Sequence, residues 1–201
     1  MLLPVNEISN GFTNGEIQAL LDYYPIIDSY DSSHPAIKVK GDKTKIPGVI
    51  FDFTKLDNHP IIDVLYNIQK RYPFLNNTVS YIITDEIIPS FNLHSHTDSH
   101  CHLLCVLESD NTAITSWYKI KRAPAFLKVS ELIGIRPHPD GEVELWHTDT
   151  LLHNKTYLFD SHTFHSVNNT NKNKRIVFTW WLEHIAYQYA AEYYKNNDFF
   201  I

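Results

Sequence analysis

Two stretches of the chain place apolar residues at helical spacing. Thr13, with Glu16 three residues on, makes a capping box ahead of Ile17, Leu20 and Leu21, which predicts a helix over about 14–24 that Pro25 ends. Asn58, followed by Pro60, marks a second start, and Ile61, Ile62, Leu65 and Ile68 recur at helical spacing up to Tyr72 and Pro73. Both helices are expected to brace the outside of a sheet.

Between and after them the pattern turns to short runs rich in β-branched and aromatic residues, at 36–39, 48–53, 79–88, 102–107 and 113–120. Further runs follow at 142–146, 156–159 and 175–182, the last reading RIVFTWWL. Pro139, Asp140 and Gly141 form a turn before one of them. The stretch 183–196 reads as a closing helix with Ile185, Tyr189 and Tyr193 at i, i+4 and i+8. Many short strands with helices at the two ends argue for a mainly β fold, an all-β barrel or jelly roll decorated by helices. Aromatic residues inside strands are usually core, which is the expectation for Tyr157, Phe178, Trp180 and Trp181. Of Trp117 and Tyr118, alternation turns one inward.

At 201 residues the chain is expected to form one domain over 1–201, with its β core at about 79–182. There is no internal repeat, low-complexity tract or linker. The 17 Lys and Arg are scattered and the formal charge is −6, so no basic stripe awaits a phosphate backbone and nucleic acid is not an expected partner. No apolar run reaches the roughly 20 residues that span a bilayer, and residues 1–10 lack a signal-type pattern. Cys101 and Cys105 would lie about 13 Å apart on an extended strand, too far to pair. A soluble, cytoplasmic protein is the expectation. Nothing in the sequence bears on oligomeric state.

The chemistry concentrates in 91–105, FNLHSHTDSHCHLLC, where His94, His96, Asp98, His100 and His102 fall on one parity. On a strand these five would share a face, and buried polar side chains without a partner are costly, so that face calls for a ligand or water. His96 and Asp98 deliver one nitrogen and one oxygen from adjacent same-face positions, two corners of an octahedron. A third donor is sought in FDSHTFHSVN, 159–168, which offers His162 and His165. Arg175, ten residues after His165, favours His165. A neighbouring strand at that distance places its guanidinium deep in the barrel, where it would clamp the distal carboxylate of 2-oxoglutarate. Two histidines and a carboxylate leave open positions on the metal for a 2-oxo acid and for dioxygen.

From about 81 to 183 the chain resembles the aspartyl/asparaginyl β-hydroxylase-like branch of the Fe(II)- and 2-oxoglutarate-dependent oxygenases. The resemblance rests on His96-Thr97-Asp98, then His100-Cys101-His102, then Phe159-Asp160 through His165, Val167 and Asn168, then Arg175. It implies a double-stranded β-helix, iron on His96 and His165, and Arg175 on the far carboxylate of 2-oxoglutarate. It also implies His102 at the cosubstrate's iron-side carboxylate. His100 stands where that branch commonly carries arginine, and some members lack the aspartate, so Asp98 as a ligand rests on its spacing. The implied activity is hydroxylation of an amino acid, free or peptidyl, with iron, 2-oxoglutarate and dioxygen.

H-x-D alone is a weak signal, and a second copy stands at His147-Thr148-Asp149. Lacking the same downstream pattern, it reads as a strand end near a loop. His34, His59, His138 and His153 read as structural, His94 and His100 as partners orienting a ligand or as residues at a barrel mouth, and Ser166, Asn168 and Asn169 as turn residues. Two rival readings keep the barrel: a cupin-like metalloenzyme that does not use 2-oxoglutarate, and a non-catalytic binding protein.

Overall fold

The computed structural model describes residues 2–40, 48–86, 90–95, 101–122, 126–130, 134–137, 142–183 and 185–201. In chain order, β1 (Val5–Glu7) precedes α1 (Asn14–Ser29), β2 (Ile37–Lys40), β3 (Gly48–Asp52), α2 (Ile61–Arg71) and β4 (Leu75–Thr84). Then come β5 (Ser90–His94), β6 (Cys101–Glu108), β7 (Ala113–Arg122), β8 (Phe126–Ser130), β9 (Gly134–Pro137) and β10 (Glu142–Asp149). β11 (Thr156–Asp160), β12 (Phe164–Asn169), β13 (Arg175–Leu182) and α3 (Tyr187–Asn196) follow, and a short 3-10 turn at Phe53–Lys55 lies between β3 and α2.

The strands form a seven-stranded antiparallel sheet, β1-β11-β6-β13-β4-β3-β2, and a four-stranded antiparallel sheet, β10-β7-β12-β5, with β8 and β9 as a separate pair. Successive strands keep changing sheet: β4, β6, β11 and β13 lie in the large one and β5, β7, β10 and β12 in the small one. The fold is mainly β, a double-stranded β-helix of the jelly-roll kind, flanked by helices.

Period-2 alternation divides the large sheet's side chains between two cores. On β6 and β13, Cys101, Leu103, Cys105 and Leu107 join Ile176, Phe178 and Trp180 beneath the helices, against residues such as Leu20, Ile27, Leu65 and Ala190. The opposite parity, Leu104, Val106 and Val177, meets Tyr157, Phe159 and Trp117 between the sheets. Phe178, Trp180 and Tyr157 are therefore core, as expected, and both cysteines are buried and unpaired with each other.

Helix α1 starts on the expected capping box: the Thr13 hydroxyl accepts from Glu16 N–H at 3.2 Å, and the Glu16 carboxylate accepts from Thr13 N–H at 2.8 Å. Glu16 also takes both terminal nitrogens of Arg71 at 2.9 Å, tying α1 to α2. The helix does not end at Pro25 but runs through it to Ser29. Proline removes one donor toward Leu21, a local cost that is offset because the following turn buries Ile27 completely. Helix α2 follows Pro60 as expected, with the His59 Nδ1 accepting from Ile61 N–H at 3.1 Å; His34 does the same for Ala36 at 3.2 Å. The described connections thus use both histidines as turn acceptors.

Helix α3 corrects a second expectation. It buries Tyr187, Ala190, Ala191 and Tyr194, while Tyr189 and Tyr193 of the expected row face outward and lean on the Phe74 ring. Two alanines permit a closer approach to the sheet than tyrosines would. Ser166, Asn168 and Asn169, read as turn residues, belong to β12, where pairing with β7 on one side and β5 on the other overrides their turn preference. The turn at Pro139, Asp140 and Gly141, together with His138, lies outside the described residues. No described helix is long and apolar enough to cross a membrane.

Candidate active site

The turn before β12 aims its first histidine. The Asp160 carboxylate accepts the backbone N–H of His162 and of Thr163, each at 3.0 Å, and the Thr163 hydroxyl at 2.7 Å. The Thr163 carbonyl then accepts from His165 Nδ1 at 2.8 Å. A carbonyl only accepts, so Nδ1 carries the proton and the basic lone pair of His165 sits on Nε2. His165 is buried, while His162 is exposed on the turn. Burial, and secondarily the neighbouring His94, hold the His165 pKa well below the usual imidazole value, so the ring is neutral, the form that binds a metal. Burial raises the Asp160 pKa, opposed by its hydrogen bonds to Thr163 and His162.

Across the small sheet His165 lies in a row of directly paired positions: His94 on β5, His165 on β12, Trp117 on β7 and His147 on β10. The rings of His94 and His165 are 4.4 Å apart and those of Trp117 and His147 5.6 Å. Trp117 is the inward member of its pair, whereas Tyr118 is half-buried and meets Ser166. From the large sheet, His102 turns to the same interior. Its ring lies beneath Trp181 at 5.6 Å and 21°, and burial pushes its pKa down to about 3. Trp181, expected as core, is instead the half-buried cover of His102.

The structure also changes how the histidines are related. A single strand was expected to carry His94 through His102 on one face, but His94 ends β5 in the small sheet and His102 belongs to β6 in the large one. Both still contribute to the interior, because a jelly roll carries the chain from one sheet to the other between them. His96, Asp98 and His100 lie outside the described residues. Among the described residues no group of three His, Cys, Asp or Glu side chains is arranged to hold a metal ion.

Arg175 opens β13 and is 4% exposed. Among the described residues its guanidinium has no hydrogen-bond or ion-pair partner, and Nε is fully enclosed. Burial lowers its pKa to about 10, with Tyr157 acting in the opposite direction. Its strand partner is Thr84, whose hydroxyl accepts from Asn169 Nδ2 at 3.3 Å, so side chains from both sheets meet at this end of the interior. Asn169 Oδ1 and Thr115 Oγ1 are also buried without a hydrogen-bond partner among the described residues. By sequence Asn169 reads as a turn residue, and Thr115 is not singled out. Thr115 was detectable only as the residue two before Trp117, on its parity.

The second H-x-D ends β10, as expected, with His147 Nε2 3.9 Å from Asp149 Oδ2.

No family model and no curated protein matches the sequence. Solved structures share the fold. The non-heme α-ketoglutarate-dependent carbocyclase SnoK from nogalamycin biosynthesis superposes with a TM-score of 0.54 and 9% identity, over 90% of this chain and 79% of that one. The epimerase SnoN, in complex with Fe3+, α-ketoglutarate and nogalamycin RO, gives 0.52 and 11%, over 90% and 79%. A Pseudomonas putida prolyl-4-hydroxylase gives 0.50 and 10%, over 91% and 94%. At these identities the likeness is one of fold.

Proposed function

We propose that this protein is an Fe(II)- and 2-oxoglutarate-dependent dioxygenase that hydroxylates a small organic substrate, an amino acid being the class suggested by its resemblance to the aspartyl/asparaginyl β-hydroxylase-like branch. The observation that carries the reading is Arg175, a buried guanidinium without an anion among the described residues, ten residues after His165. Burying an unpaired charge is costly, so such a group is retained where a ligand supplies the countercharge, and a carboxylate matches its planar fork in two bonds. Among the solved structures sharing the fold, one holds Fe3+ and α-ketoglutarate.

In this reading His96, Asp98 and His165 hold the iron. His165 meets the chemical requirement, being neutral with its lone pair on Nε2. Bound iron and 2-oxoglutarate supply the oxidising power, with dioxygen as oxidant and succinate and carbon dioxide as by-products. The protein's own residues do the rest. Asp160 and Thr163 set the tautomer and direction of His165. Arg175 would grip the far carboxylate of the cosubstrate, and His102 and His100 would bind its other carboxylate. Trp117 and Phe159 keep water from the interior, and Trp181 covers His102.

The test is an anaerobic titration of the metal-free protein with Fe(II) and 2-oxoglutarate, followed by succinate release in air across a panel of free amino acids and short peptides. A weak visible charge-transfer band and substrate-stimulated succinate are expected, both lost in His165→Ala. Metal binding without the band at saturating 2-oxoglutarate favours a cupin-like enzyme of other chemistry. Unchanged metal content in His96→Ala and His165→Ala favours a non-catalytic barrel.

A further inference from the structure

The second H-x-D motif is unused by the function proposed above, yet its histidine lines the same interior. His147 is paired with Trp117 across β10 and β7, on the side of Trp117 away from His165. His147 Nε2 and Trp117 Nε1 are both buried, and among the described residues neither has a hydrogen-bond partner. Trp117 itself is wholly buried, and an indole N–H only donates, so it calls for an acceptor. Two residues further along β7, the exposed Lys119 places Nζ 4.3 Å from the centre of the Trp146 ring. Among the described residues it has no acidic partner; the nearby Glu144 carboxylate goes to Lys121 at 3.4 Å. An indole donor and an imidazole 3.9 Å from an aspartate thus line one side of the barrel, with an exposed ammonium two residues along the strand from the indole.

These groups lie in a different direction from Arg175. From His165, the path toward Arg175 follows β12 to Asn169, which reaches Thr84, the strand partner of Arg175. The path to Trp117 and His147 runs across the strands. A ligand stretched from His165 to Arg175 therefore leaves the β7–β10 side for another occupant.

We propose that Trp117 Nε1, His147 Nε2 and Lys119 Nζ form a subsite for the carboxylate of the substrate, so that the substrate is a small free carboxylic acid of the amino-acid type. The assignment rests on the dioxygenase reading and narrows it from amino acids in general to those with a free carboxylate.

The test uses the indole N–H resonances of the 15N-labelled full chain, of which four are expected from its four tryptophans, with Trp117→Phe identifying one. Free amino acids are titrated against their methyl esters, with 2-oxoglutarate as a separate probe and Zn(II) in place of iron. At least one free acid is expected to move the Trp117 resonance while its ester does not, and Lys119→Met and His147→Leu are expected to weaken that acid by about tenfold, as for loss of a hydrogen bond to a charged group. The same two variants are expected to bind 2-oxoglutarate with unchanged affinity. The subsite is overturned if no acid moves the resonance, if the esters move it equally, or if 2-oxoglutarate moves it and Arg175→Met abolishes that response. Failure of the parent reading shows separately, as 2-oxoglutarate affinity indifferent to Arg175→Met.

Discussion

The carboxylate of Asp160 binds Thr163 through both its backbone N–H and its hydroxyl, at 3.0 and 2.7 Å. Because the Thr163 carbonyl holds His165 Nδ1, Asp160 governs the orientation of a histidine five residues away without touching it. Asp160→Ala is expected to lower stability by about 2–4 kcal/mol, since three hydrogen bonds to one buried carboxylate are lost together. Divalent-metal affinity should fall by about 10–100-fold, the usual cost of losing support behind a ligand. Urea melts and a competition titration with Zn(II) check both. Undiminished metal affinity in a folded variant would remove Asp160 from the site.

Arg175 carries a prediction of opposite sign for stability and binding. Arg175→Met removes a buried charge that has no partner among the described residues, so the ligand-free protein should be as stable as the parent or gain about 1–3 kcal/mol. Affinity for 2-oxoglutarate should drop by about a hundredfold or more, with Arg175→Lys between the two. Thermal melts with and without 2-oxoglutarate separate these effects. Marked destabilisation without ligand would mean that Arg175 has a structural partner.

Acid should weaken the metal-free protein through its buried histidines. His102 has a folded pKa of about 3 against an ordinary 6.5, and that of His165 is also depressed, in both cases chiefly by burial. Below the unfolded value the unfolded chain binds protons that the folded chain refuses. For His102 this contribution is therefore undiminished above about pH 6.5 and is lost as pH falls toward about 3, at about 1.4 kcal/mol per pH unit, and His165 acts in the same direction. His102→Phe, which preserves stacking beneath Trp181, should reduce the slope by about one proton. The check is a series of denaturant melts between pH 4 and 7; an unaltered slope would contradict burial of a neutral His102.

Pro25 interrupts a helix that continues because Ile27 is buried beyond it. Pro25→Ala restores a donor to the Leu21 carbonyl and is expected to raise stability by about 1–3 kcal/mol. A lower melting temperature would show that the proline ring itself packs where alanine leaves a gap.

Local chemistry made much of this molecule readable. The Thr13–Glu16 box, the helical row of α2 and the alternation of RIVFTWWL act within a few residues, where spacing and donor chemistry decide the outcome. Reading failed where distant segments compete for the same residues. Ile27 carries α1 through its proline, Ala190 and Ala191 displace the Tyr189 row from the packed face of α3, and pairing draws Ser166 to Asn169 into β12.

The candidate site divides in the same way. Sequence by itself determined that imidazoles, a carboxylate and an arginine recur at intervals suited to a metal and a dicarboxylate, because ligand type and strand period are written in the residues. Only the tertiary structure decided that His94 and His102 come from opposite sheets, that Arg175 is buried without a described partner, and that His147 looks past Trp117 into the same interior. Burial and strand pairing depend on which distant strands become neighbours, and that is settled by packing the whole chain at once.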